Sequence, residues 1–261
     1  MSTPTSGRFA PLPGSAPLSK QVLAQSRMET RLLLRNGEQL LLALVIPVIV
    51  LVGGILAADR VGLDFPNGVV NTLTPGVLAL AIMSTSFTSL AISTGFERRY
   101  GVLKRLGASP MPRTGLLAGK VGSLLFVELL QLIVISAVAL SFGWSPVVSA
   151  KSVLATVVIG VLGTAAFASL GLLLAGILRA EATLAAANLV YLLLLAGGAI
   201  VFPASTYGAF GGFLAVLPSG ALGTGMRTAL IEGGYPVVPA LVLAGWTVVG
   251  AVLTARTFKW E

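Results

Sequence analysis

Residues 73–95 read LTPGVLALAIMSTSFTSLAISTG, twenty-three positions without a charge, and residues 96–99 read FERR. As a helix such a run measures about 35 Å, enough to cross a hydrocarbon core of about 30 Å. Five further runs share its character, at about 40–58, 121–142, 152–178, 184–202 and 237–255. In lipid every backbone N–H and C=O has to be satisfied inside its own segment, so each run is expected to be a helix. The reading is an all-α membrane protein with six transmembrane helices.

Composition points the same way. Hydrophobic residues make up 56% of the 261-residue chain and charged residues 10%, against about 25% charged in ordinary globular domains. Cysteine and histidine are absent. That removes thiolate and imidazole metal sites, disulfides, thiol nucleophiles and the commonest general base. No cofactor and no metal is expected. The closest acidic pair, Asp59 and Asp64, lies in a loop, so a membrane enzyme has little to work with.

Charge sets the orientation. With the N-terminus placed in the cytoplasm, fourteen of the 17 lysines and arginines fall on the inner side and only Arg60, Lys151 and Arg227 on the outer. By the positive-inside rule both termini are cytoplasmic. The net charge of +8 then suits anionic membrane lipid rather than nucleic acid. No cleavable signal peptide is expected, because the first apolar run starts behind a long polar and basic leader.

The parts between the runs divide the chain further. Residues 1–17, with four prolines among serine, threonine and glycine, read as a disordered cytoplasmic tail. Residues 18–36 read as an interfacial amphipathic helix: Lys20, Arg27, Arg31 and Arg35 fall within about 80° of arc, with Leu18, Val22, Met28, Leu32 and Leu33 on the other side. Residues 37–261 form the six-span domain. Pro47 is expected to kink the first span and release a carbonyl that a neighbouring helix satisfies. The hydroxyl residues from Ser84 to Thr94, and Gly160 with Thr164 and Gly171 with Ala175 in the fourth span, read as helix packing surfaces. Residues 203–232 stay apolar but are broken by glycine and proline, which predicts short re-entrant helices between spans five and six.

After the second span comes Phe96-Glu97-Arg98-Arg99-Tyr100-Gly101-Val102-Leu103-Lys104-Arg105-Leu106, followed by Pro110 and Pro112. This is a short charged helix pattern over about 96–107, with Phe96, Tyr100, Leu103 and Leu106 to one side. It resembles the permease subunits of type-2 ABC transporters, which export drugs, polysaccharides and lipids. Glu97-Arg98, Gly101, Leu103, Lys104-Arg105 and Pro110 match the family's pattern, with Val102 where a hydroxyl residue is common. The resemblance extends over roughly residues 18–258 through the order of the parts.

The resemblance implies the function: a permease subunit of an ATP-driven ABC transporter in the bacterial plasma (inner) membrane. It implies stand-alone ABC ATPase subunits, a second permease of the same or a homologous chain, and a coupling helix that docks on the ATPase. There Tyr100, Leu103 and Leu106 are expected as anchors and Glu97, Arg98, Lys104 and Arg105 as a polar rim. No G-x-x-x-x-G-K-[ST] occurs, so ATP is hydrolysed elsewhere. The expected cargo is a hydrophobic or amphiphilic molecule, moved outward.

Glu128 is the one acid well inside a span, with Gln131 on the same face, and intramembrane acids are functional candidates by default. Glu128, Gln131, Asn188 and Tyr191 are therefore candidates for the substrate path; the alternative for Glu128 is a structural acid paired with Lys120 or another span, and for Asn188 and Tyr191 interhelical hydrogen bonding. The competing class is a secondary transporter or channel without an ATPase partner. Such carriers usually hold several buried ionisable groups and repeated halves, and channels a filter sequence, none of which is visible here.

The orientation is directly testable in this cysteine-free chain. Cysteines at Ser2, Ser109 and Thr257 should be shielded from an impermeant thiol reagent in intact cells, and cysteines at Asn67, Ser149 and Tyr235 should label. Labelling at Ser109 from outside would reverse the topology.

Overall fold

A computed structural model describes residues 16–35, 37–62, 65–107 and 112–258. The expected tail 1–17 falls almost entirely outside them, as do Asp64 and Pro110. Among the described residues the chain is helical, without strands. Helices α1 (Leu18–Arg35) and α2 (Gly37–Val61) are followed by α3 (Val69–Met83), a π turn (Ser84–Ser89) and α4 (Leu90–Arg99). Then come α5 (Val102–Gly107), α6 (Arg113–Ser141), α7 (Ala150–Ile177) and α8 (Ala180–Gly197). A 3-10 segment (Ala204–Phe210), α9 (Gly211–Val216), α10 (Pro218–Leu230) and α11 (Val237–Thr257) complete the fold. Six helical stretches are long and apolar enough to cross a membrane: Ala43–Val61, Val69–Arg99, Thr114–Ser141, Ala150–Ile177, Ala180–Gly197 and Val237–Thr257.

The second of these stretches is the centre of the bundle. Every residue from Thr72 to Met83 is buried, and the π turn packs on α6, α7 and α8. Helix α7 is the other hub, packed along α11 and against α10, α4 and the π turn. Phe87 meets Phe167 edge to face, with ring centroids 6.3 Å apart. The closest approach of these two helices is at Gly171, where any Cβ would run into the carbonyl of Phe87. The small-residue spacing in the fourth span thus serves helix packing.

Proline and glycine set the breaks. Pro47 has no N–H to give the Ala43 carbonyl one turn earlier. Gln131 Nε2 of α6 donates to that carbonyl at 2.9 Å, as expected for a proline inside a span. The fifth crossing helix lies earlier than the apolar run 184–202. It begins right after the extended Arg179 and places Glu181 in its first turn, where the helix dipole favours an acid. It stops at Gly197, and Ala199 follows with φ 52°.

The glycine-rich segment folds as two arms, Ala204–Val216 and Pro218–Leu230, bent by 104°. Leu217 is extended and Pro218 opens α10 at the position where proline fits a helix start. Trp246 Nε1 of α11 donates to Val216 O at 2.9 Å and holds the corner.

Helix–helix clearance gives a stability prediction. Gly171→Ala should lower stability by about 1–3 kcal/mol through overpacking. Gly245→Ala, on open helix surface, should be neutral or stabilising by up to about 1 kcal/mol. Thermal unfolding followed by size-exclusion fluorescence compares the two.

Candidate functional site

The end of the bundle that carries Arg98, Arg99 and Arg179 holds the charged loop singled out in the sequence. It does not form one helix. Tyr100 leaves the helical region and Gly101 takes φ 66°, so α4 ends in a glycine turn and α5 restarts at Val102. The break separates residues that a continuous helix would align. Tyr100 is exposed, stacked on Phe96 with Arg99 over its ring. Leu103 is only 5% exposed and faces into the protein. Lys104 and Arg105 are exposed, and Arg105 donates to Tyr100 O at 3.0 Å, while Leu106 is half-buried.

Two of the expected rim charges point inward instead. Arg98 donates to Gly176 O at 2.6 Å and Leu178 O at 2.5 Å, the unsatisfied carbonyls at the end of α7. A cation there also matches the negative end of the helix dipole. Glu97 accepts from Lys120 Nζ of α6 at 2.6 Å, and the same ammonium meets Glu29 of α1 at 3.2 Å. Gln25 donates to Glu29 at 2.9 Å and Ser26 to Gly119 O at 2.9 Å, so a polar face of α1 seats on α6. The Arg99–Glu181 pair at this end is half exposed and contributes little to stability.

Midway along the bundle lies a second polar cluster. Glu128 is buried, and its Oε2 accepts from Thr164 Oγ1 at 2.6 Å; Lys120, engaged elsewhere, is not its partner. Gln131 is buried too, and besides Ala43 O it accepts from Thr85 Oγ1 of the π turn at 2.9 Å. Glu128 and Gln131 thus point into the protomer's own packing. Asn188 sits on the exposed face of α8 and donates back to Leu184 O at 3.0 Å. Tyr191 is half-buried, with its hydroxyl toward Ser84 of the π turn. The four candidates therefore split between an interior pair and an α8 pair.

Sequence reasoning missed Arg227, counted above as a loop charge. It is buried at the end of the bundle opposite Arg98. Its guanidinium donates to Ile200 O at 2.8 Å, to Val201 O, and to Thr72 O at 3.3 Å. It ties α10 to α3 and to the chain leaving α8. The signal available was its place four residues after Gly223 inside an apolar run, which no free loop arginine requires. The π turn was also missed, although the cluster of hydroxyls over Ser84–Ser89 marked its place; single π turns recur at functional sites.

Six helices long and apolar enough to cross a membrane, a bent apolar pair and a basic knuckle at one end define a multi-pass membrane protein. The ABC-2 type transporter family model matches residues 18–230, most of the chain. The chain belongs to the ABC-2 type transporter family, as the membrane-spanning subunit rather than the nucleotide-binding one. No curated protein matches it.

The two clusters should respond differently to substitution. Lys120→Met strands Glu29 and Glu97 and should cost about 3–5 kcal/mol, most of it recovered when Glu29→Gln and Glu97→Gln are added. Glu128→Leu combined with Thr164→Val, which replaces both hydrogen-bond partners by apolar groups, should leave stability nearly unchanged. Denaturation midpoints in detergent check both.

Proposed function

We propose that this permease works in an ATP-driven exporter that moves a hydrophobic or amphiphilic molecule outward across the plasma membrane. Separate ATPase subunits supply the energy and a second permease, identical or homologous, completes the path. The observation that carries the reading is the knuckle Tyr100–Arg105: an exposed aromatic and two exposed cations, braced from behind by Arg98 on the end of α7. An exposed anchor on a rigid mount is what a nucleotide-driven partner needs in order to push on a bundle that has no nucleotide site of its own. The basic end then faces the cytoplasm, in keeping with the positive-inside rule.

Within this reading the coupling surface differs from the one drawn from helical periodicity. Tyr100 is the anchor, Lys104 and Arg105 are the rim, and Leu106 lies at its edge. Leu103, Glu97 and Arg98 act from inside, fixing the knuckle to α6, α1 and α7. The substrate path runs between permeases along exposed α8, where Asn188 is an accessible polar side chain, and Glu128 and Gln131 hold spans together behind it. Helix α1 lies at the cytoplasmic interface, and the bent pair Ala204–Val216 and Pro218–Leu230 dips into the outer leaflet as a re-entrant element.

Buried anchors dominate interface energy, and rim charges act mainly on rate and salt dependence. Tyr100→Ala should weaken ATPase binding by about tenfold or more, equivalent to ~1.4 kcal/mol. Lys104→Glu with Arg105→Glu should slow association and abolish its salt dependence. Leu103→Asp should lower folding yield instead. Co-purification of the ATPase and its substrate-stimulated hydrolysis are the readouts. Parental coupling in the Tyr100→Ala, Lys104→Glu, Arg105→Glu variant would remove the knuckle from the mechanism.

A further inference from the structure

The face of α1 that seats on α6 is made of Gln25, Ser26 and Glu29, polar residues. The opposite face carries Lys20, Arg27, Arg31 and Arg35, all exposed, and among the described residues no ion pair involves any of them. Exposed apolar side chains flank this stripe on both sides, Leu23 and Leu34 along one edge and Met28 and Leu32 along the other. An open groove of about 1300 Å³ follows this outward face of α1, lined by the cations and reaching Gly122 and Phe126 of α6 at its edge. Among the described residues no acidic side chain lines it.

The α6 wall continues beyond the groove. Phe126, Leu129 and Ile133 follow Gly122 at spacings of four, three and four, so they share one helix face, and all three are exposed. From Gly122 to Ile133 the track rises about 16 Å, much of the length of an extended acyl chain. A cationic head region thus opens onto an apolar track that runs along a membrane-crossing helix.

We propose that this groove binds an anionic phospholipid of the cytoplasmic leaflet, its phosphate on Arg27, Arg31 and Arg35 and one chain along Phe126–Ile133. The proposal rests on the orientation given under the proposed function. Charge complementarity and the apolar track favour lipid over a protein partner, because a surface that runs on into the hydrocarbon is out of reach of an aqueous subunit. Occupancy would fix α1 against α6 at the Lys120 cluster, beside the knuckle.

The lack of native cysteine allows a clean test. Ile133→Cys carrying a bimane label is placed, as the full protein with its co-purifying subunits, in nanodiscs of phosphatidylcholine with a minor fraction of phosphatidylglycerol. Chain-brominated phosphatidylglycerol should quench the label more strongly than chain-brominated phosphatidylcholine at equal content. Replacing Arg27, Arg31 and Arg35 with glutamine should reduce that preference by about fivefold per residue. Lysine at the same three positions should keep most of it. Equal quenching by the two lipids overturns the proposal, as does a preference unchanged by glutamine, or lost equally with lysine. Loss of the ATPase from the glutamine variant with lipid preference intact also overturns it, and assigns the stripe to protein. Quenching requires neither transport nor hydrolysis, so its failure is distinct from a failure of coupling.

Discussion

In a medium without water a carbonyl that loses its helical partner has to find a donor from another helix, and this constraint organises the molecule at three levels. At mid-depth Gln131 answers the Ala43 carbonyl that Pro47 leaves free. At the basic end Arg98 answers the last carbonyls of α7. At the opposite end Arg227 answers the carbonyls after α8. Each donor comes from a different element than its acceptor. The same contacts that satisfy the backbone therefore fix which spans lie side by side, where apolar packing in lipid gives little directional preference.

The basic end is where such contacts meet the proposed coupling surface. Glu97, Arg98 and the knuckle lie within a few residues of one another, yet they reach α1, α6 and α7. In the proposed coupling, a push on Tyr100 would reach α7 through the two Arg98 hydrogen bonds and α1 and α6 through the Lys120 cluster. Helix α7 is the hub against which α11, α10 and the central span pack. Displacement at one loop thus has a short, rigid route to most of the bundle. The opposite end is arranged differently: the bent pair is held by Arg227 and Trp246 at two points and keeps Phe210 and Phe213 exposed.

Mid-bundle polarity also changes meaning once positions are known. An acid inside a span invites assignment to a transport path. Gln131 bonds Thr85 and a released carbonyl, whereas Glu128 bonds Thr164 through one oxygen and keeps the other buried without a partner among the described residues. Their neighbour, the π turn, is a local widening of the central span, where Ser86 donates to Ile82 O at 2.6 Å and Thr85 to Gln131. Of the four candidates, Asn188 on α8 is the one exposed on the outside of the protomer.

The amino-acid sequence by itself determined the number of spans, the need of Pro47 for a donor, the break between spans five and six, and the family. These depend on run length, hydropathy and the covalent nature of proline and glycine, which are properties along the chain. The tertiary structure decided the rest. One φ of 66° at Gly101 turned Leu103 inward and Tyr100 outward, against a helical register that grouped them. Lys120 took Glu29 and Glu97 rather than Glu128, and Arg227 became a buried clamp rather than a loop charge. Partner choice among buried polar groups is settled by which helices pack together, and residues such as Glu29 and Lys120, ninety-one positions apart, carry no local sign of it.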